Sequence, residues 1–269
     1  MRATSHSPHR SPTGRSRMCA MAVVDVGKRS GAHQPGAGAA ARPRPSTFVL
    51  KQVMAITGVI FVGFVFVHMI GNLKVYFGAE SLDAYATWLR RVGYPLIPHQ
   101  GVLWALRVVL SVSLLAHMWA AITLWLRGRR ARGPHRRRRP ATFSARTASW
   151  MLPGGLAIAV FVVVHILDLT LGAGVAASGH QHADPDGTVH AYANLVASFS
   201  RPWMAVFYVV IMLVVAFHIE HGVRTLMQDF GATGRRLRKI WVAVGGALAL
   251  AVVLGNALIP VLVLVGVIS

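Results

Sequence analysis

The chain has a single cysteine, Cys19, in 269 residues. A lone thiol excludes a disulfide framework, a four-cysteine zinc site and an iron–sulfur cluster held by the chain itself, so any redox centre must be held by other side chains. Acidic residues are also scarce: eight Asp and Glu stand against 28 Lys and Arg, for a formal charge of +20. Charged residues of both signs make up only 13% of the chain, while hydrophobic residues reach 54% and the mean hydropathy is +0.52. Those proportions exclude a water-soluble globule. Two further absences matter. No Gly-rich turn of the dinucleotide-binding kind is found, and the segment from Met1 to Ser46 has no apolar run long enough for a signal-peptide core.

That first segment, residues 1–46, is rich in Ser, Pro, Gly, Ala and Arg and is expected to be a disordered basic arm. Met18 and Met21 lie within it as alternative starts, so residues 1–20 need not be translated. Five long apolar stretches follow, at about Phe48–Tyr76, Gly101–Leu126, Trp150–Gly174, Pro202–Met227 and Trp241–Ile268. Each exceeds the roughly 20 residues that a helix needs to cross a bilayer core of about 30 Å. Leu, Val, Ala, Ile and Phe fill them without two-residue alternation, which argues against a β-barrel. The expected fold is all-α, a membrane-embedded bundle of five transmembrane helices spanning 47–269.

The positive charges flank these stretches rather than forming one binding face, so nucleic acid is not the expected partner. Lys and Arg number nine up to Lys51, nine in Arg127–Arg146 and five in Arg224–Lys239. The opposite side has only Lys74, Arg90, Arg91, Arg107 and Arg201. By the positive-inside rule the N-terminus is cytoplasmic and the C-terminus outside, with the run Arg136–Arg139 a topology determinant at the lipid headgroups. Outside, Leu82, Tyr85, Ala86 and Leu89 follow helical spacing, which predicts a short amphipathic helix over Ala79–Gly93 at the interface. The outer loop Ala176–Ser200 carries His180, His182, His190, Asp184 and Asp186; these are read as solvated, with a metal site as the less favoured alternative.

Five of the 13 histidines lie inside the apolar stretches: His68, His117, His165, His218 and His221. Ionisable residues at such depth need a partner or a cofactor. Each on a different span, His68, His117, His165 and His218 follow Val53, Val102, Trp150 and Trp203 by 15 residues. The first and third spans run outward and the second and fourth inward. His68 and His165 therefore share an outer level, and His117 and His218 an inner level, separated by about 15 Å. Two imidazole pairs in apolar walls suit two bis-histidine haems; zinc would require further ligands at each level.

The segments around these histidines are His68-Met-Ile-Gly-Asn72, Gly78-Ala-Glu-Ser-Leu-Asp-Ala-Tyr-Ala86, Leu115-Ala-His117-Met-Trp119, Phe143-Ser-Ala-Arg-Thr147, His165-Ile-Leu-Asp168-Leu-Thr170 and His218-Ile-Glu-His221-Gly222. In that order on five helices, the chain from Phe48 to Ser269 resembles the diheme cytochrome b membrane anchor subunit of bacterial succinate:quinone oxidoreductase (succinate dehydrogenase or fumarate reductase). The resemblance implies two haem b groups, with His68 and His165 ligating the iron of the outer and His117 and His218 that of the inner. It also implies a flavoprotein subunit and an iron–sulfur subunit on the cytoplasmic face, electron transfer to a quinone, and a place in the respiratory chain and tricarboxylic acid cycle of a bacterial cytoplasmic membrane. Abundant Ala, Arg, Gly and Val suggest GC-rich, actinobacterial coding, where menaquinone is the expected quinone. Without thiolate clusters or a nucleotide-binding turn, the chain is not expected to perform the dicarboxylate chemistry itself.

The remaining polar residues near the histidines carry two readings each. Asn72 supports a haem edge or caps the first helix; Asp168 bonds near the propionates or is plainly solvated. Arg146, Arg224, Lys74, Arg90 and Arg91 are candidate propionate partners or interfacial charges. Glu220, inside the fourth span, is either protonated and active in proton delivery or solvated at an interface. His221 is expected beside the inner haem or the quinone rather than on the iron, because His218 matches the offset of His117. Competing functions are the cytochrome b subunit of a nitrate reductase, formate dehydrogenase or hydrogenase, and a transporter with proton-relaying histidines.

Overall fold

The computed structural model describes residues 45–134, 143–231 and 234–269. The basic arm up to residue 44 and the run Arg136–Arg139 lie outside the described residues. Among those described there is no strand, and five helices are long and apolar enough to cross a membrane. Helix α1 (Thr47–Asn72) starts at Ser46, whose hydroxyl accepts from Val49 N at 3.2 Å, and tightens into a 3₁₀ turn over Leu73–Phe77. Gly78, with a positive φ, separates that turn from α2 (Ala79–Arg91), the amphipathic helix expected from spacing. Helix α3 (Gly101–Arg132) runs one and a half turns beyond its apolar stretch into the basic segment. Backbone bonding continues there because Arg favours helix and the positive side chains suit a C-terminus.

Helix α4 (Phe143–His165) begins before its expected start at Trp150 and passes through Pro153. It continues as a π turn, Ile166–Leu171, directly after His165, and ends at Gly172 in the left-handed conformation, two residues short of the expected Gly174. A short helix, α5 (Ala191–Phe199), replaces part of the expected outer loop and corrects that reading. Its signal lay in Tyr192, Leu195, Val196 and Phe199, which follow the i, i+3, i+4, i+7 pattern. Helix α6 (Pro202–Asp229) uses Pro202 at its first position, where the missing N–H costs nothing. The fifth span divides into α7 (Arg235–Val252), a π turn at Val253–Ala257 and α8 (Leu258–Leu264), so it starts earlier and ends earlier than Trp241–Ile268.

Helix α6 is the axis of the bundle: 44% of its most apolar stretch is buried by protein, against 6% for α4 and 11% for α3. One core runs along it through Ile211, Met212, Val215, Ile219 and Val223 with Met69, Val252 and Ala257. A second core joins α2, α5, α8 and the start of α6 through Leu82, Leu195, Phe199, Met204, Tyr208, Ile259 and Val263. Asp83 accepts from Tyr192 N at 2.8 Å, so α2 caps α5 and the two short helices close one end of the bundle. The opposite end is tied by Lys51 to Asp229 at 2.6 Å. Large apolar side chains on the remaining faces, among them Trp104, Val112, Leu115, Val160 and Phe217, are exposed, as lipid-facing residues are.

Candidate functional site

The structure brings the four histidines together as two pairs. The ring centres of His68 (α1) and His165 (α4) are 5.9 Å apart, and those of His117 (α3) and His218 (α6) 6.3 Å apart. Their separation along the bundle can be read on three helices. Helix α1 meets the second pair at Thr57 and the first at His68, eleven residues on, or about 16 Å. Helix α4 meets them at Gly155 and His165, and α6 at His218 and Tyr208, each ten residues apart, or about 15 Å.

The donor set fits two metal centres with imidazole on both sides. A metal–imidazole bond of about 2 Å, plus the distance from nitrogen to ring centre, puts the centres of two rings on one ion about 6 Å apart. That is the spacing of both pairs. His117 Nδ1 lies 2.9 Å from Thr57 Oγ1, whose own hydrogen goes to Val53 O at 2.6 Å. The threonine oxygen can therefore only accept, so Nδ1 of His117 carries the proton and Nε2 keeps its lone pair. His165 Nδ1 lies 3.3 Å from Tyr208 Oη in the same arrangement. His218 Nδ1 is a buried nitrogen without a protein partner, and its ring is seated over Gly155, where a Cβ would lie 3.4 Å from Cε1. His68 is exposed, and its ring stacks on Phe64. Phe61 stands edge-on to His117, and Phe161 flanks His165, giving apolar walls to both pairs.

The other singled-out residues have specific partners. Asp168, on the π turn after His165, is buried rather than solvated, which corrects that alternative. It accepts from Ser198 Oγ at 2.5 Å, Arg201 Nη2 at 2.7 Å and Tyr208 Oη at 3.2 Å. Asn72 makes no capping bond; its amide donates to Asn256 Oδ1 at 2.8 Å, tying the end of α1 to the π turn of the fifth span. Glu220 pairs with Arg224 one turn away on α6. His221 is buried with Nδ1 3.1 Å from Thr147 Oγ1, and it faces neither His117 nor His68.

Among the described residues, no three His, Cys, Asp or Glu side chains converge as a metal site. In the outer loop His190 pairs with Asp184 at 3.0 Å, and His180 meets His182 edge-on with its ring packed on Gly172. Burial, with the neighbouring His182, holds His180 below the ordinary imidazole range. The residues that sequence reasoning missed are Thr57, Tyr208, Ser198 and Arg201. Thr57 and Tyr208 could have been found, since each stands where its helix passes the level of a histidine pair. The reach of Ser198 and Arg201 to Asp168 depends on α5.

Residues 126–255 match the family described as Succinate dehydrogenase/Fumarate reductase transmembrane subunit. The match takes in His165, His218 and His221 and leaves His68 and His117 outside it. No curated protein and no solved structure matches the chain. The match spans just under half of the chain, and the five apolar helices are those of a multi-pass membrane protein.

Proposed function

We propose that this chain is the diheme cytochrome b anchor of a bacterial succinate:quinone oxidoreductase, with one haem b between His68 and His165 and a second between His117 and His218. The observation that carries the reading is the pairing itself: two imidazole pairs at metal-bridging separation, from four helices, about 15 Å apart along the bundle. Haem ligated by imidazole on both faces supplies one-electron transfer with no open coordination position. The chain's own work is to hold one imidazole of each pair, His117 and His165, with Nε2 free, to wall the sites with Phe61, Phe64 and Phe161, and to set them in series across the membrane.

In this reading the end bearing Lys51, Arg224, Arg235 and Arg236 is cytoplasmic and receives the iron–sulfur subunit, with a flavoprotein subunit beyond it where succinate and fumarate interconvert. His221, bonded to Thr147, and the Glu220–Arg224 pair lie at that end beyond His218, where a quinone head, menaquinone by preference, would meet them. The family match favours this over the cytochromes of nitrate reductase, formate dehydrogenase or hydrogenase, and the pairing favours it over a proton-relaying transporter. The test is purification of the tagged chain from its native membrane. A flavoprotein and an iron–sulfur protein co-purify, and succinate reduces a menaquinone or ubiquinone analogue through the complex. A chain that purifies without either partner and without a Soret band contradicts the proposal.

A further inference from the structure

The two histidine pairs differ in what stands behind one ring of each. Behind His117 is a neutral threonine hydroxyl bonded to a backbone carbonyl. Behind His165 is a phenol whose hydrogen goes to a buried carboxylate: Tyr208 Oη donates to Asp168 Oδ2 at 3.2 Å and faces His165 Nδ1 at 3.3 Å. Since the phenolic hydrogen is committed to Asp168, the oxygen accepts from Nδ1–H. The carboxylate is fully buried, and its charge is balanced by Arg201, which also donates to Val175 O at 2.7 Å, and by the Ser198 hydroxyl. The ring of Tyr208 is fixed by edge contacts with Phe161, Phe199 and Phe207, so the hydroxyl cannot swing away.

We infer that Tyr208 is a positioning residue for His165, and that through it the Ser198–Asp168–Arg201 cluster sets the electron-donating strength of one ligand of the outer haem. The inference rests on the haem assignment proposed above. A phenol polarised toward a carboxylate is a better acceptor than a free hydroxyl, and an imidazole that donates to a better acceptor is a more basic ligand. More basic ligation favours the oxidised iron and lowers the potential of that centre. The cluster gives the two directions of change separate handles. Removing the Tyr208 hydroxyl removes the acceptor, whereas removing the Ser198 hydroxyl leaves Asp168 Oδ2 to Tyr208 alone and strengthens it.

Equilibrium redox titration of the purified complex, with low-temperature electron paramagnetic resonance of the two low-spin ferric signals, reads both directions without turnover. The outer signal is the one absent from His68→Ala. In Tyr208→Phe its potential moves upward and its largest g value shifts, while the inner signal stays in place; in Ser198→Ala the outer potential moves downward. If Tyr208→Phe loses the outer haem alone while Ser198→Ala keeps both and moves downward, the positioning role stands. Unchanged outer potential and g value in Tyr208→Phe, equal movement of both haems, or upward movement in Ser198→Ala overturns the inference. A wild-type complex without paired low-spin signals instead overturns the haem assignment beneath it.

Discussion

A histidine becomes a good iron ligand when something else holds its second nitrogen, and in this chain Thr57 does so for His117 and Tyr208 for His165. Thr57 holds His117 through a hydroxyl that can only accept. Thr57→Val keeps the shape and removes the acceptor, so the inner haem is expected to be held about 10-fold less tightly, as for other outer-shell partners, with the outer haem unaffected. Haem loss on dilution, followed at the Soret band, checks this. His218, whose ring is paired with His117, is the expected inner ligand, and His221, bonded to Thr147, is not. His218→Ala therefore lacks one haem by pyridine haemochrome, whereas His221→Ala retains two; the reverse pattern exchanges their roles. Glu220→Gln removes the counter-charge of Arg224, whose Nε is already buried without a partner. It is expected to lower the melting temperature by an amount corresponding to on the order of 1 kcal/mol and to leave haem content unchanged.

At the scale of elements, the long helices were legible because apolar length is a strong signal, and the levels of His68, His117, His165 and His218 followed from counting along them. The ends of those helices were less legible. Apolar content marks where lipid begins, whereas a helix ends where its backbone bonding ends, as α3 shows by running on to Arg132. Helix α5 escaped notice because it is nine residues of mixed polarity whose stability comes from Asp83 of α2 and from burial of Leu195 and Phe199. The Asp168 cluster was hidden for the same reason, since Ser198 belongs to that helix and Arg201 follows it. Asp83→Ala should therefore cost about 1 kcal/mol, the usual worth of a helix cap, seen as a lowered thermal midpoint. The outer loop adds a pH dependence of known sign. The folded state holds His180 neutral, so its contribution is present above the ordinary imidazole pKa of about 6.5 and is lost as pH falls. The protection factors of the amides over residues 172–182, taken relative to their intrinsic exchange rates, are expected to fall between pH 7 and 5 in the wild type and to lose that fall in His180→Gln.

At the scale of the whole molecule, the four histidines make sense only as a pair of pairs. α3 brings His117 to His218 of α6, and α4 brings His165 to His68 of α1, so the two pairs join four helices of the bundle. The most direct measurement is the ratio of haem to protein in the purified chain by pyridine haemochrome. Two haem b per chain, falling to one in His165→Ala and to one in His117→Ala, is the predicted result. One haem or none in the wild-type chain, prepared from membranes of a haem-sufficient host, contradicts the account.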